Sequence, residues 1–229
     1  MPTINASRVG YIQGTGGSSF ANSRTDNGSA VFDSPTGNVL SPIQSFFSSG
    51  RGGGTYRQNR TYIYFDTSGI TGTVTSATLK ITSYTTVTSD VIVLNGNNAF
   101  GGDGNTALNV DDFDEVNMAG ISEAFSSQFT PWVSQTVNNI SLNSNAFSAL
   151  SSDDDTVMGV MNYTNDYSNS APASSVSKSA SIAFGTTIQL SYAVTAATNI
   201  DKVNKILVAN IGQWGGTSFS NVASLNGVT

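Results

Sequence analysis

Neither cysteine nor histidine occurs among the 229 residues of this chain, and these two absences exclude more chemistry than any single residue present suggests. Without cysteine there is no disulfide and no thiolate metal site. Losing both types removes the common nucleophile–base pairs, the usual proton shuttle near neutral pH and most transition-metal ligand sets. Charge is also scarce, at 10% of residues against roughly a quarter in an average soluble protein. Serine, threonine, asparagine and glycine fill the polar positions, so the surface meets water through hydroxyls and amides. That is the habit of secreted, adhesive and virion proteins.

The few charges are unevenly placed. No lysine or arginine stands between Lys80 and Lys178, a span holding Asp90, Asp103, Asp111, Asp112, Asp114, Glu115, Glu123, Asp153, Asp154, Asp155 and Asp166. Tracking a phosphate backbone needs a cationic face, so no nucleic-acid partner is expected. Arg51, Arg57 and Arg60 sit near glycines and read as a solvated loop rather than an anion patch. No apolar run approaches the roughly twenty residues a bilayer requires, so no membrane partner is expected. Met1-Pro2-Thr3-Ile4 opens without a basic and apolar leader. The expectation is a protein released by lysis or assembled inside a cell.

What is present is strand pattern. Short strands are expected near Arg8 to Gln13 and Ala30 to Phe32, joined by long loops. Thr61 to Asp66 crowds β-branched and aromatic residues into one strand. After the Ser68-Gly69 turn, Ala77 to Ser83 alternates strictly, with Leu79 and Ile81 inward and Lys80 and Thr82 outward. Val91 to Leu94 is apolar on both faces and should be sandwiched. Thr156 to Tyr163, Ser181 to Phe184 and Thr187 to Tyr192 complete the series, the last with Ile188, Leu190 and Tyr192 on one face. Helix is limited to a turn or two at Val110 to Val116, where Asp111 and Asp112 suit a helix N-terminus, and to Ala146 to Leu150 behind the capping stretch Asn143-Ser144-Asn145. Many short strands with polar turns indicate an all-β fold, a jelly-roll-like two-sheet β-sandwich with few short helices.

Tyr62-Ile63-Tyr64-Phe65-Asp66-Thr67-Ser68-Gly69-Ile70, followed by Val74-Thr75-Ser76-Ala77-Thr78-Leu79-Lys80-Ile81, resembles the strand–turn–strand motif of the DNRLRE family, and Ile188 to Tyr192 resembles its closing strand. The resemblance implies a jelly-roll sandwich over residues 1 to 192, of a kind found in secreted and surface proteins, some of which resemble carbohydrate-binding modules. The short charged signature that names the family is absent, its nearest counterpart being Asn59-Arg60-Thr61.

Past a linker at 193 to 198 the pattern changes. Asn199-Ile200-Asp201-Lys202-Val203-Asn204 is echoed by Asn210-Ile211-Gly212-Gln213-Trp214-Gly215 and by Asn221-Val222-Ala223-Ser224-Leu225-Asn226, a period of eleven residues (210−199 and 221−210) over 199 to 229. Each repeat offers two apolar side chains, too few for a core, so repeats of this sort need a surface to stack on. They could fold back on their own sandwich. The reading preferred here makes Ile200, Val203, Ile211, Trp214, Val222 and Leu225 partner-docking residues, on another subunit or on copies of themselves. Such tails resemble those ending many structural proteins of tailed phages, particularly marine ones, and this resemblance implies a virion protein.

Catalytic candidates are poor. Paired carboxylates exist, but they fall in Gly- and Asn-rich turns where Asp serves the local backbone, so no catalytic residue and no cofactor is expected. Calcium is a better candidate than catalysis, since Asp103-Gly104-Asn105, Asp111, Asp112, Asp114 and Asp153 to Asp155 supply the hard oxygen ligands it needs; the spacing matches no EF-hand, and turn roles are preferred. Trp132, Tyr163 and Tyr167 are nominal sugar-stacking aromatics, with core packing the preferred reading for Trp132. The expectation is therefore a non-enzymatic phage structural protein in the virion, homo-oligomeric and bound to other virion proteins. The alternative is a carbohydrate-binding or adhesion module meeting a host surface glycan.

Overall fold

The computed structural model describes residues 1–14, 17–25, 28–33, 40–51, 54–84, 89–115, 123–183, 188–195, 202–203, 206–207, 213–214 and 217–218. The chain divides into two compact units, Met1–Thr195 and Ala196–Thr229. The first is a two-sheet β-sandwich with few short helices. Its smaller sheet is antiparallel, in the order β1 (Thr3–Asn5), β11 (Ile188–Thr195), β6 (Thr73–Thr82) and β8 (Val137–Ser141). Leu79 lies opposite Leu190 on one side and Ile140 on the other. The alternation expected from the sequence holds, with Leu79, Ile81, Ile188, Leu190 and Tyr192 buried and Lys80 and Thr82 half-buried. Strand β11 runs through Thr195, three residues beyond Tyr192, with a bulge between Ala193 and Val194.

The larger sheet is organised by β5 (Thr55–Asp66), whose twelve residues pair with three strands. β2 (Arg8–Gly14) takes residues 59–64, β4 (Leu40–Ser48) takes 55–59 and β9 (Asp155–Asn162) takes 61–66. β3 (Gly28–Asp33) extends the sheet beyond β2, β10 (Val176–Ala183) beyond β4 and β7 (Val91–Asn95) beyond β9.

The middle of this sheet is buried on both faces, which explains the continuous apolar runs. Ile63, Phe65, Val91, Val93, Met158 and Val160 enter the core between the sheets. Tyr62, Tyr64, Ile92, Leu94, Val157 and Met161 enter a second core on the opposite face, closed by Ala99, Phe100, Leu108 and Phe113. These last four come from the connection between β7 and β8, which contains 3-10 turns at Ala99–Gly101 and Val110–Glu115. Arg8 pins that connection. Its guanidinium donates to the carbonyls of Gly104 and Thr106, each at 2.7 Å, and pairs with Asp33 at 2.7 Å. Gly104 has φ +72°, and a Cβ there would lie 2.4 Å from the Tyr64 ring, so glycine is required on both counts.

Two short helices complete the unit. In α1 (Asn22–Thr25) Arg24 is buried, and α2 (Ser144–Ser152) is capped by Asn143, whose side chain accepts from the amides of Asn145 and Ala146. A π-helical turn follows β9 at Tyr163–Tyr167. Strands β1, β4 and β8 go beyond the sequence expectation, because their short or polar stretches gain strand character only from the neighbours they pair with.

The arginine reading requires correction. Arg57 and Arg60 lie in β5, not in a loop, and Arg60 is 0% exposed. Its Nε and Nη2 donate to the two carboxylate oxygens of Asp166, each at 3.0 Å, its Nη1 to the Phe113 carbonyl at 2.8 Å and its Nη2 to the Arg24 carbonyl at 2.9 Å. The guanidinium carbon stands 4.0 Å from the centre of the Phe113 ring. Burial by itself would lower the Arg60 pKa, but the charge and hydrogen bonds of Asp166 outweigh it and hold the group above its ordinary value. Arg24 joins the cluster, donating from Nε to the Asp166 carbonyl at 2.9 Å and from Nη1 to Asn169. A buried charge is tolerated only when so fully partnered.

Candidate functional site

Among the described residues of the C-terminal unit, two strand pairs recur at the spacing of the sequence repeat. Strand β12 (Lys202–Val203) pairs antiparallel with β13 (Ile206–Leu207), and β14 (Gln213–Trp214) with β15 (Thr217–Ser218). Each element of the second hairpin follows its counterpart by eleven residues (213−202 and 217−206), the period of the sequence repeat. In the sequence Asn204-Lys205 separates the first pair of strands and Gly215-Gly216 the second. Val203 and Trp214 occupy the same place, ending the first strand of their hairpins. Ile200, Ile211, Val222 and Leu225 lie outside the described residues. Asp201, Lys202 and Lys205 are the only charges from 196 to 229. An isolated two-stranded hairpin is marginal at best in water, and strands of two residues fall well short of the usual five or six.

Several acidic residues of the sandwich are engaged locally. Asp103 accepts from the Asn105 backbone and side-chain amides, each at 2.9 Å, and the side-chain bond leads in holding its carboxyl below the ordinary value. Asp66 is lowered in the same way by the Ser68 hydroxyl and amide. Asp112 accepts from Asn109, yet burial prevails and raises its pKa. Among the described residues no three acidic side chains converge on a position that could hold a metal ion. No helix among them is long and apolar enough to cross a membrane.

Among the described residues, two clefts of this unit include several polar side chains in their lining. One, of about 360 Å³, brings Asn95, Asn97, Asn98, Glu115, Asp153 and Asp155 together. Its polar groups are largely turned on one another: the Glu115 carbonyl accepts from the Asn97 side chain at 2.6 Å, its carboxylate accepts from the Asn98 amide at 3.2 Å, and Asp155 accepts from the Tyr64 hydroxyl. The other, of about 300 Å³, is lined by Asp90, Thr130, Pro131, Trp132, Thr164 and Lys178, with Ser89 beside them. Asp90 is held in place by Thr164, by Gln128 at 2.7 Å and by Asn162 at 3.2 Å.

Of the sugar-stacking candidates, Trp132 is a core residue. It is 5% exposed, its indole N–H donates to the Ser83 hydroxyl at 3.0 Å, and its ring meets Phe129 edge-on. Tyr163 and Tyr167 stack on each other with centroids 5.4 Å apart. The polar lining of the second cleft escaped sequence reasoning. Its one available signal was Lys178, the base that ends the long acidic stretch. No protein-family model matches the chain, and no curated protein matches it in sequence.

Proposed function

We propose that the chain is a non-enzymatic structural protein of a bacteriophage particle, with its sandwich exposed as capsid decoration or as a neck or tail-fibre component and its C-terminal repeats serving as the anchor. The observation that carries this reading is the shared eleven-residue period of the tail's sequence and of its paired strands. A period kept at both levels marks a module used more than once, and modules this small gain stability only against another surface. Full burial of an aliphatic side chain contributes roughly 1.5–3 kcal/mol. Ile200, Val203, Ile211, Trp214, Val222 and Leu225 are proposed to supply that burial on other virion proteins or on further copies of this chain.

The remaining support is compositional. A tail almost without charge can be covered with little desolvation cost, and a sandwich surface rich in hydroxyls and amides suits constant exposure. The resemblance of residues 62–81 to a family of surface sandwiches points the same way. Deleting residues 199–229 is expected to abolish incorporation into particles, measured by quantitative mass spectrometry of purified virions; unchanged incorporation would overturn the proposal. Many copies per virion would indicate decoration of the capsid, a few the neck or tail fibres.

A further inference from the structure

The cleft around Asp90 and Lys178 combines features that the attachment reading does not use. It measures about 300 Å³, at the lower end of the roughly 300–1,000 Å³ of ligand pockets, and so has room for one small ring rather than a chain. Carbon surface from Pro131 and Trp132 shares the lining with Asp90, Thr130, Thr164 and Lys178. Lys178 lies on β10 opposite Ser45 of β4, is half-buried, and forms no ion pair among the described residues. An ammonium carries three donors and no acceptor.

Asp90 is its complement. Thr164 and Gln128 donate to Oδ2 and Asn162 to Oδ1. An ionised carboxylate has about four acceptor sites, so these three bonds fix the group and leave about one site open, on Oδ1. The cleft therefore presents a fixed acceptor and a donor that has no ion pair among the described residues, with opposite charges that cancel, beside an apolar wall. A neutral molecule with adjacent hydroxyls and a C–H face matches all three. An anion matches less well, because the chain carries a net charge of −6 and its bases are few.

We infer that this cleft is a binding site for a neutral saccharide unit, with a hydroxyl donating to Asp90, a neighbouring hydroxyl accepting from Lys178 and the C–H face of the ring against Pro131 and the edge of Trp132. The inference does not depend on the attachment proposed above: glycan binding and incorporation into particles are read by separate experiments, and either can fail alone.

The test uses the full chain on a glycan array of neutral and uronate- or sialate-bearing glycans. It is followed by titration with the methyl glycosides of glucose, galactose, mannose and N-acetylglucosamine, and with methyl glucuronide, monitored through the Trp132 indole N–H by NMR. Saturable binding to a neutral glycan is expected, with the Trp132 resonance shifting and that of Trp214 unmoved. Lys178→Ala and, as a second variant on the exposed rim, Thr130→Ala should each weaken binding, the first at least tenfold, while Lys80→Ala leaves it unchanged. Absence of binding to every neutral glycan would overturn the inference. So would binding unaffected by both cleft variants, or a preference for the glucuronide.

Discussion

Strand β5 and the strands described in the C-terminal unit differ in length and in the number of strands they pair with. β5 has twelve residues, three partner strands and a core on each face. A tail strand has two residues and one partner. Apolar content therefore does not decide whether a strand can stand by itself; the number of neighbours that a fold can gather around it does. In β5 enough neighbours are present that even a charged side chain, Arg60, is taken fully inside. Among the described residues each tail strand has one partner strand, and the proposed docking would supply the neighbours that β5 finds within its own sheet.

The largest expected effect tests the strong side of this contrast. Asp166→Ala leaves Arg60 and Arg24 without their counter-charge in the interior, and should cost about 3–5 kcal/mol in urea unfolding of the sandwich. Leu79→Ala, which empties a site between the sheets, should cost about 3 kcal/mol in the same measurement. Tyr62→Phe removes a 2.9 Å hydrogen bond to the Phe113 carbonyl, but that carbonyl keeps its bond from Arg60, so about 1 kcal/mol is expected.

Tyr62 also gives the comparison a pH dependence. Burial raises its pKa well above the ordinary 10.0. Above pH 10.0 the unfolded chain gives up this proton while the folded chain retains it. The contribution is thus complete below that value and is lost as pH rises through it toward the folded pKa. Urea midpoints across this alkaline range should fall, and the fall should be smaller in Tyr62→Phe. Asn143→Ala, which removes the cap of α2, should cost about 1 kcal/mol. At the small end, Trp214→Ala should leave the unfolding of the sandwich within about 0.5 kcal/mol of the parent and yet reduce incorporation into particles. A tail substitution that cost the sandwich as much as Leu79→Ala would erase the distinction between the two units.

Much of the sandwich was legible where local pattern and burial coincide. The alternation at Leu79 and Ile81, the double-sided run at Val91 to Leu94 and the capping asparagine before Ala146 each state their role within a few residues. Thr55 to Arg60 does not. Its polar residues read as loop, because the partners that make it a strand are β2 and β4, and because Asp166 lies 106 residues from Arg60. The Asp90 and Lys178 cleft was hidden for the same reason, since its lining comes from four separate stretches of chain.

By itself, then, the sequence determined an all-β fold, most of its strands, the period of its tail and the exclusion of cysteine and histidine chemistry, since each of these is a local or compositional property. Only the tertiary structure decided which charges go inside, which strand is covered on both faces and which polar side chains converge on a cleft. Those outcomes depend on pairs of residues far apart in the chain, and such pairs leave no mark on the pattern of their immediate neighbours.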